Sequence, residues 1–190
     1  VAILALADIA ESHLKDLAQA CKWHSMAVEF HNHQNSLQWL YDQACIGQKD
    51  AESALKYLAD YLKSASIQYQ YGLLNAHKNQ IDIACEYMAL AARSNFVKAL
   101  NWLEQQESHS QSAAYYLAKM YENGRGVDKS LEIAVQKYAV LVRQNHANAQ
   151  QRLLGLAGQK NHSAILALAD IAESHLKDLA QACKWHSMAV

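Results

Sequence analysis

The sequence predicts an all-α protein, an α-α superhelix in which antiparallel helix pairs stack as a solenoid. Three observations carry this expectation. Proline is absent and glycine numbers six in 190 residues, while Ala, Leu, Gln and Lys abound; that mix favours helix and offers little to a sheet. Ser112–Tyr138 reads as a complete helix–turn–helix unit, and weaker relatives of it recur on either side. One segment also returns letter for letter, with Ala2–Val28 and Ala164–Val190 identical over 27 residues. Two amphipathic helices alone cannot bury both apolar faces, so each such unit needs neighbours.

Taken in order, the chain opens on the first copy, AILALADIAESHLKDLAQACKWHSMAV. Even surface positions Lys15, Asp16 and Gln19 recur, as Lys177, Asp178 and Gln181. Solvent-facing positions of repeats drift, so three origins stay open: a recent duplication, an engineered extension, or a longer array with a period of 162 residues. Glu29–Asn35 is a polar linker. Ser36–Lys63 and Ser66–Arg93 then align at an offset of 30, pairing Tyr41 with Tyr71, Ala54 with Ala84 and Tyr57 with Tyr87. The expected turns are Gly47-Gln48-Lys49-Asp50 and Lys78-Asn79-Gln80. Phe96–Gln106 reads as a helix with Val97, Leu100 and Leu103 inward, broken by Glu107-Ser108-His109-Ser110.

The central unit is the clearest. Ala114, Leu117, Ala118 and Tyr121 share one helix face. Asn123-Gly124-Arg125-Gly126 stops that helix, since glycine enters the left-handed region without a Cβ clash. Asp128 or Ser130 caps the next helix, whose inner stripe is Leu131, Ala134, Val135 and Tyr138. Lys129–Arg143, Ala147–Leu156, a turn at Gly158-Gln159-Lys160-Asn161 and the second copy follow. The expectation is about ten or eleven helices in one domain of residues 1–190, divided near 1–35, 36–65, 66–111, 112–162 and 163–190. Small Gly72, Ala118 and Ala169 mark close helix crossings, and Tyr57, Tyr87, Tyr138, Trp23 and Trp185 fill the space between layers.

At its central unit the chain resembles the Sel-one-like repeats (SLR), a branch of the tetratricopeptide-like helical solenoids. That family's pattern is roughly A-x-A-Q-x-x-L-G-x-M-Y, then G-x-G-V, then A-x-x-W-Y. Leu117-Ala118-Lys119-Met120-Tyr121 stands for the L-G-x-M-Y piece, Gly124, Gly126 and Val127 fill the loop, and Ala134 and Tyr138 fit the second helix. Ala147-Asn148-Ala149-Gln150-Gln151-Arg152-Leu153 restarts the pattern. The match is specific over about residues 112–156, and only one unit keeps the G-x-G-V loop. The resemblance implies a protein-binding solenoid, and it brings in a role as regulator of a bacterial envelope enzyme.

Composition removes several other classes. Net charge is −1, without the basic field that nucleic acid requires. Apolar runs are short and broken by charge, so no membrane span is expected. The opening VAILALADIAE has no basic region or cleavage site and reads as the middle of a repeat helix, which points to a piece of a longer chain. Localisation stays open between periplasmic or secreted and cytoplasmic, as the resemblance allows both. Cys21, Cys45, Cys85 and Cys183 form no C-x-x-C pair and read as small buried thiols, with a disulfide between adjacent repeats as the alternative.

Chemistry finds no foothold in the motifs. No G-x-S-x-G elbow, Walker loop, dinucleotide fingerprint or H-E-x-x-H helix occurs. Carboxylates such as Asp8, Glu11, Glu52 and Asp60 scatter over polar faces as solvated or i+4-paired groups. His31 and His33 could hold a divalent ion weakly, but no metal site is assigned. His24 and His186 read as helix-surface residues. His13, His77, His109, His146 and His162 fall at turns, where an imidazole can bond helix-terminal carbonyls. No enzymatic activity, catalytic residue or cofactor is expected.

The function expected is a scaffold holding a partner protein or peptide on the concave face that first helices line. The residues assigned to that face are Gln38, Gln68, Asn75, Tyr115, Lys119, Glu122, Gln151 and Asp170, each with plain solvated surface as its alternative. Gly72, Ala118, Gly124, Gly126, Ala134 and Tyr138 are assigned to structure. The rival expectation is head-to-tail self-association through the duplicated segments.

Overall fold

The structure, a computed structural model, describes residues 2–175 and 177–189. Among these residues it holds twelve α-helices and no strand. In chain order they are α1 (Ala2–Ser12), α2 (Leu17–His31), α3 (Gln34–Cys45), α4 (Lys49–Leu62), α5 (Ala65–His77) and α6 (Ile81–Ala92). There follow α7 (Val97–Gln106), α8 (Gln111–Asn123), α9 (Leu131–Arg143), α10 (Ala147–Gly158), α11 (His162–Ser174) and α12 (Leu179–Ala189). They fall into two compact units, Val1–Ala91 and Ala92–Val190.

The count exceeds ten or eleven, and the turns inside the duplicated copies show why such breaks are hard to read. Each copy turns at a lysine with positive φ, Lys15 at 53° and Lys177 at 54°, and no Gly or Pro marks the place. A left-handed lysine costs roughly 1–2 kcal/mol of backbone strain. The carboxylate that follows offsets part of it: Asp16 accepts from the Gln19 amide at 3.1 Å, and Asp178 from that of Gln181 at 3.0 Å. Elsewhere Asn32, Asn79, Asn95 and Asn145 take left-handed turns, a conformation asparagine tolerates.

Caps define several starts. Ser110 and Ser130 accept from Ala113 and Ile133 amides, both at 3.3 Å, so Ser130 caps α9. His146, expected to bond a helix-terminal carbonyl, and His33, expected in a polar linker, both cap helix starts. Their Nδ1 atoms accept from Ser36 and Ala149 amides, both at 3.1 Å, capping the N-termini of α3 and α10. The lone pair of the ring nitrogen thus serves an orphan helix donor, not a C-terminal carbonyl.

In the first unit α2 packs on α1, α3 and α4, and α5 lies against α3 and α4. The core joins Leu37, Leu40, Leu55, Leu58, Ile67, Tyr71 and Leu74 around buried alanines. Gly72 lies against α6, where a Cβ would stand 3.1 Å from Met88 Cε. Tyr71 and Tyr87 meet edge to face at 4.6 Å, and the Tyr87 hydroxyl donates to Asp60 at 2.6 Å. Tyr57, expected between layers, instead lies 49 % exposed and stacks on Tyr61 at 5.4 Å.

His24 is also a correction: it is buried rather than on a helix surface. Its ring stacks on Trp39 at 4.2 Å, and Nδ1 lies 2.9 Å from the Ser36 hydroxyl, joining α2 to α3. Nε2 is buried without a hydrogen-bond partner. Burial pushes the imidazole below its ordinary value; Glu11 and Asp8 oppose this and His33 reinforces it. The copy of this residue, His186, is exposed on α12.

In the second unit α9 packs on α8, α10 and α11, and α11 pairs with α12. Ala118, Ala134, Val135, Tyr138, Leu141, Leu153, Leu156, Ile165 and Leu168 share one core. In α7 the buried positions are Ala99 and Leu103, while Val97, expected inward, is exposed. Gly124 and Gly126 turn the chain after α8 with φ of 66° and 77°. A Cβ on Gly124 would come within 2.8 Å of Lys129 Cβ, and one on Gly126 within 2.2 Å of the Ala92 carbonyl oxygen.

The cysteines divide. Cys21 and Cys85 are buried, Cys45 and Cys183 exposed. Cys21 and Cys183 occupy the same place in the duplicated segment, so the packed neighbours, not the sequence, set their burial.

Two outcomes follow for stability. Gly126→Ala combines left-handed strain with a collision against backbone and costs more than about 2 kcal/mol by denaturant titration. Gly47→Ala, at φ 93° with open space around it, loses only about 1 kcal/mol from strain. As pH falls below about 6.5, the unfolded chain protonates His24 before the folded one does, so stability declines until the depressed native value is passed. His24→Phe flattens that acid limb of the pH–stability curve.

Candidate functional site

The residues assigned to partner binding separate into three groups. Gln68 and Asn75 are buried in α5 and take no part in an open surface. The Asn75 amide donates to the Tyr71 carbonyl at 2.7 Å, one turn back, which satisfies a polar group inside the core. Both residues share α5 with Ile67, Tyr71 and Leu74, and the packing of α3, α4 and α6 around that helix leaves it little solvent face. Gln38 is exposed and donates to Asp42 at 2.8 Å, an i+4 pair on a solvated face. Asp170 pairs with Arg143 and borders a cavity of about 450 Å³ between α9 and α11.

The remaining four gather in the second unit. Tyr115, Lys119 and Glu122 follow one another at helical spacing on α8, and Gln151 of α10 lines a cavity together with Glu122. Glu122, Gln151, Arg152, Gly155, Leu156 and Gln159 line an open cavity of about 390 Å³. Tyr115 stacks on His146 at 5.0 Å. The Lys119 ammonium stands 5.5 Å from the Tyr115 ring centroid and 6.0 Å from that of Tyr116, within cation–π range.

Glu122 has a structural task. The hydroxyl of fully buried Tyr138 donates to its Oε2 at 2.7 Å, and Arg152 grips both oxygens, with Nε 3.2 Å from Oε2 and Nη2 on Oε1. Burial first, and then the Glu122 hydrogen bond, push the Tyr138 phenol far above its ordinary value. Burial works to lower the Arg152 value, and the bonds to Glu122 more than offset it. The carboxylate thus ties α9 and α10 to α8.

Lys119 differs. Its ammonium is pushed below the ordinary lysine value by burial, then by Arg93 and Arg152, with Glu122 opposing. Arg93 and Arg152 add positive potential at the ammonium, and an incoming anion would relieve that repulsion. Arg93 and Arg152 are the functional candidates that sequence reading missed. Arg152 lay within the restarted repeat pattern at Ala147–Leu153, but its approach to Glu122 depends on how α8 and α10 pack.

Among the described residues no cluster of three His, Cys, Asp or Glu side chains could hold a metal ion. No helix among them is long and apolar enough to cross a membrane.

Substitutions separate scaffold from surface. Glu122→Ala strands the buried Tyr138 hydroxyl and frees Arg152, costing about 1–3 kcal/mol by denaturant titration. Lys119→Gln and Gln151→Ala stay within about 0.5 kcal/mol of the parent. Against known proteins, the chain matches no family model, no curated protein and no solved structure.

Proposed function

We propose that the chain is a non-catalytic interaction scaffold of the Sel-one-like type, its helix pairs stacked as a solenoid, with the α8–α10 surface taking an acidic peptide segment of a partner protein. The helix–loop–helix at 111–143, with its two left-handed glycines, and the short connections throughout support the solenoid reading. The observation that carries the binding reading is Lys119, held over two tyrosine rings in a field made positive by Arg93 and Arg152, one helical turn from Glu122, which lines an open cavity. A carboxylate side chain arriving there meets an ammonium that is already partly desolvated, and the aromatic faces pack its stem. On this reading the expected partner-binding face is, locally, a site for negative charge.

A second reading, self-association, is favoured by one observation. Ile171 of α11 is 2 % exposed, while its copy Ile9 on α1 is 45 % exposed. The open face of α1 therefore has the same chemistry as a face that is covered in the second unit.

Selection of a displayed random peptide library on the full chain tests the first reading. Enriched peptides carry Asp or Glu at a fixed position, and their affinity falls at least about tenfold, or 1.4 kcal/mol, in Lys119→Gln. Peptides without acidic residues, or equal binding to the variant, would overturn it. Sedimentation over a wide concentration range tests the second, where a constant monomer excludes self-association.

A further inference from the structure

The first unit brings together a thiol, an imidazole and a phenol that the binding reading does not use. Cys45 is the last residue of α3 and is exposed; His77 is the last residue of α5 and is exposed. Cys45 Sγ lies 4.0 Å from His77 Nδ1, within reach of a sulfur hydrogen bond. The Tyr41 hydroxyl stands 2.9 Å from the same nitrogen. Tyr41 precedes Cys45 by one helical turn, and a hydrogen bond to Cys45, after burial, helps hold its phenol above the ordinary value.

A nucleophile beside a base, with the base oriented by a third group, is the arrangement that activates a cysteine. We propose that Cys45 is a reactive thiol, a modification site for low-molecular-weight disulfides, with His77 as its base and Tyr41 as the group that positions that base. The thiol proton passes to His77 Nδ1, either directly or through the Tyr41 hydroxyl, which gives up its own proton to Nδ1 as it takes the one from sulfur. The Cys45 thiolate then attacks one sulfur of the small disulfide. That S–S bond breaks, a Cys45 mixed disulfide forms, and the departing thiolate takes the proton back from His77. Cys45 is oxidised and the small disulfide is its oxidant, so no other redox partner enters.

The other cysteines supply contrast within one molecule. The Cys21 thiol is pushed up to about 11, by burial first and then by the charge of Asp50, which keeps it protonated and inert at neutral pH. Cys85 is buried. Cys183 is exposed on α12 and serves as the reference for an accessible thiol.

The test is incubation of the full chain with glutathione disulfide at pH 7, with site-resolved mass spectrometry of the mixed disulfides over time. Cys45 is modified several-fold faster than Cys183. His77→Gln lowers the Cys45 rate to that of Cys183 and added imidazole restores it, while Tyr41→Phe gives an intermediate rate. Silence at Cys21 and Cys85 certifies that each variant is folded; where a variant fails that check, the Cys45-to-Cys183 ratio in the parent chain decides alone. A parent in which Cys45 reacts no faster than Cys183, or a folded His77→Gln variant with an unchanged rate, would overturn the proposal.

Discussion

Close crossing of helices over alanine is the constraint on which both units depend. Ala44, Ala51 and Ala59 in the first unit, and Ala118, Ala134, Ala149 and Ala157 in the second, are fully buried at helix contacts. A methyl group lets two backbones approach but removes little apolar surface from water, at roughly 25 cal/mol per Å². Larger side chains fill the gaps between the crossings, with Leu40, Leu55, Leu58, Tyr138 and Leu153 among those fully buried. The helices are short, ten to fifteen residues, so none is stable by its own propensity and each relies on its neighbours. A polar side chain caught in such a contact has to bond locally, as Asn75 does to the carbonyl one turn before it.

That dependence explains what the sequence could and could not tell. Features written in consecutive residues were legible: the stop at Gly124 and Gly126, the cap at Ser130 and the stripe of Ala134, Val135 and Tyr138. Features set by the next helix were not. Gln68 and Asn75 have the composition of a surface, yet they sit in a helix with neighbours around it. His24 lies beside Trp23 and Lys22 in a segment that reads as amphipathic, and only the stacking of Trp39 from α3 places it in the interior. Left-handed lysines at Lys15 and Lys177 left no glycine to announce a turn. On the candidate surface, the spacing of Tyr115, Lys119 and Glu122 was readable, whereas the division of labour between Lys119 and Glu122 depends on Tyr138 and Arg152.

Glu122 and Lys119, three residues apart, show how one helix face serves two ends. The carboxylate is consumed by the joint between α8, α9 and α10, and the ammonium is left facing aromatic rings and other cations. For the proposed acidic-peptide site this separation is an advantage, because the side chains that set its geometry are not the ones that must change partners.

The duplicated segment gives the same residues two sets of surroundings. Cys21 and His24 lie under neighbouring helices, while Cys183 and His186 face water; Leu168 and Ile171 are covered, while Leu6 and Ile9 are not. For as long as the two copies stay identical, each position answers to the stricter of its two sites. A polar replacement that would suit Ile9 is forbidden at Ile171, and one that would suit His186 leaves a gap against Trp39. The apolar side chains exposed on α1 at Leu6 and Ile9 thus match, 162 positions along the chain, side chains that a core buries.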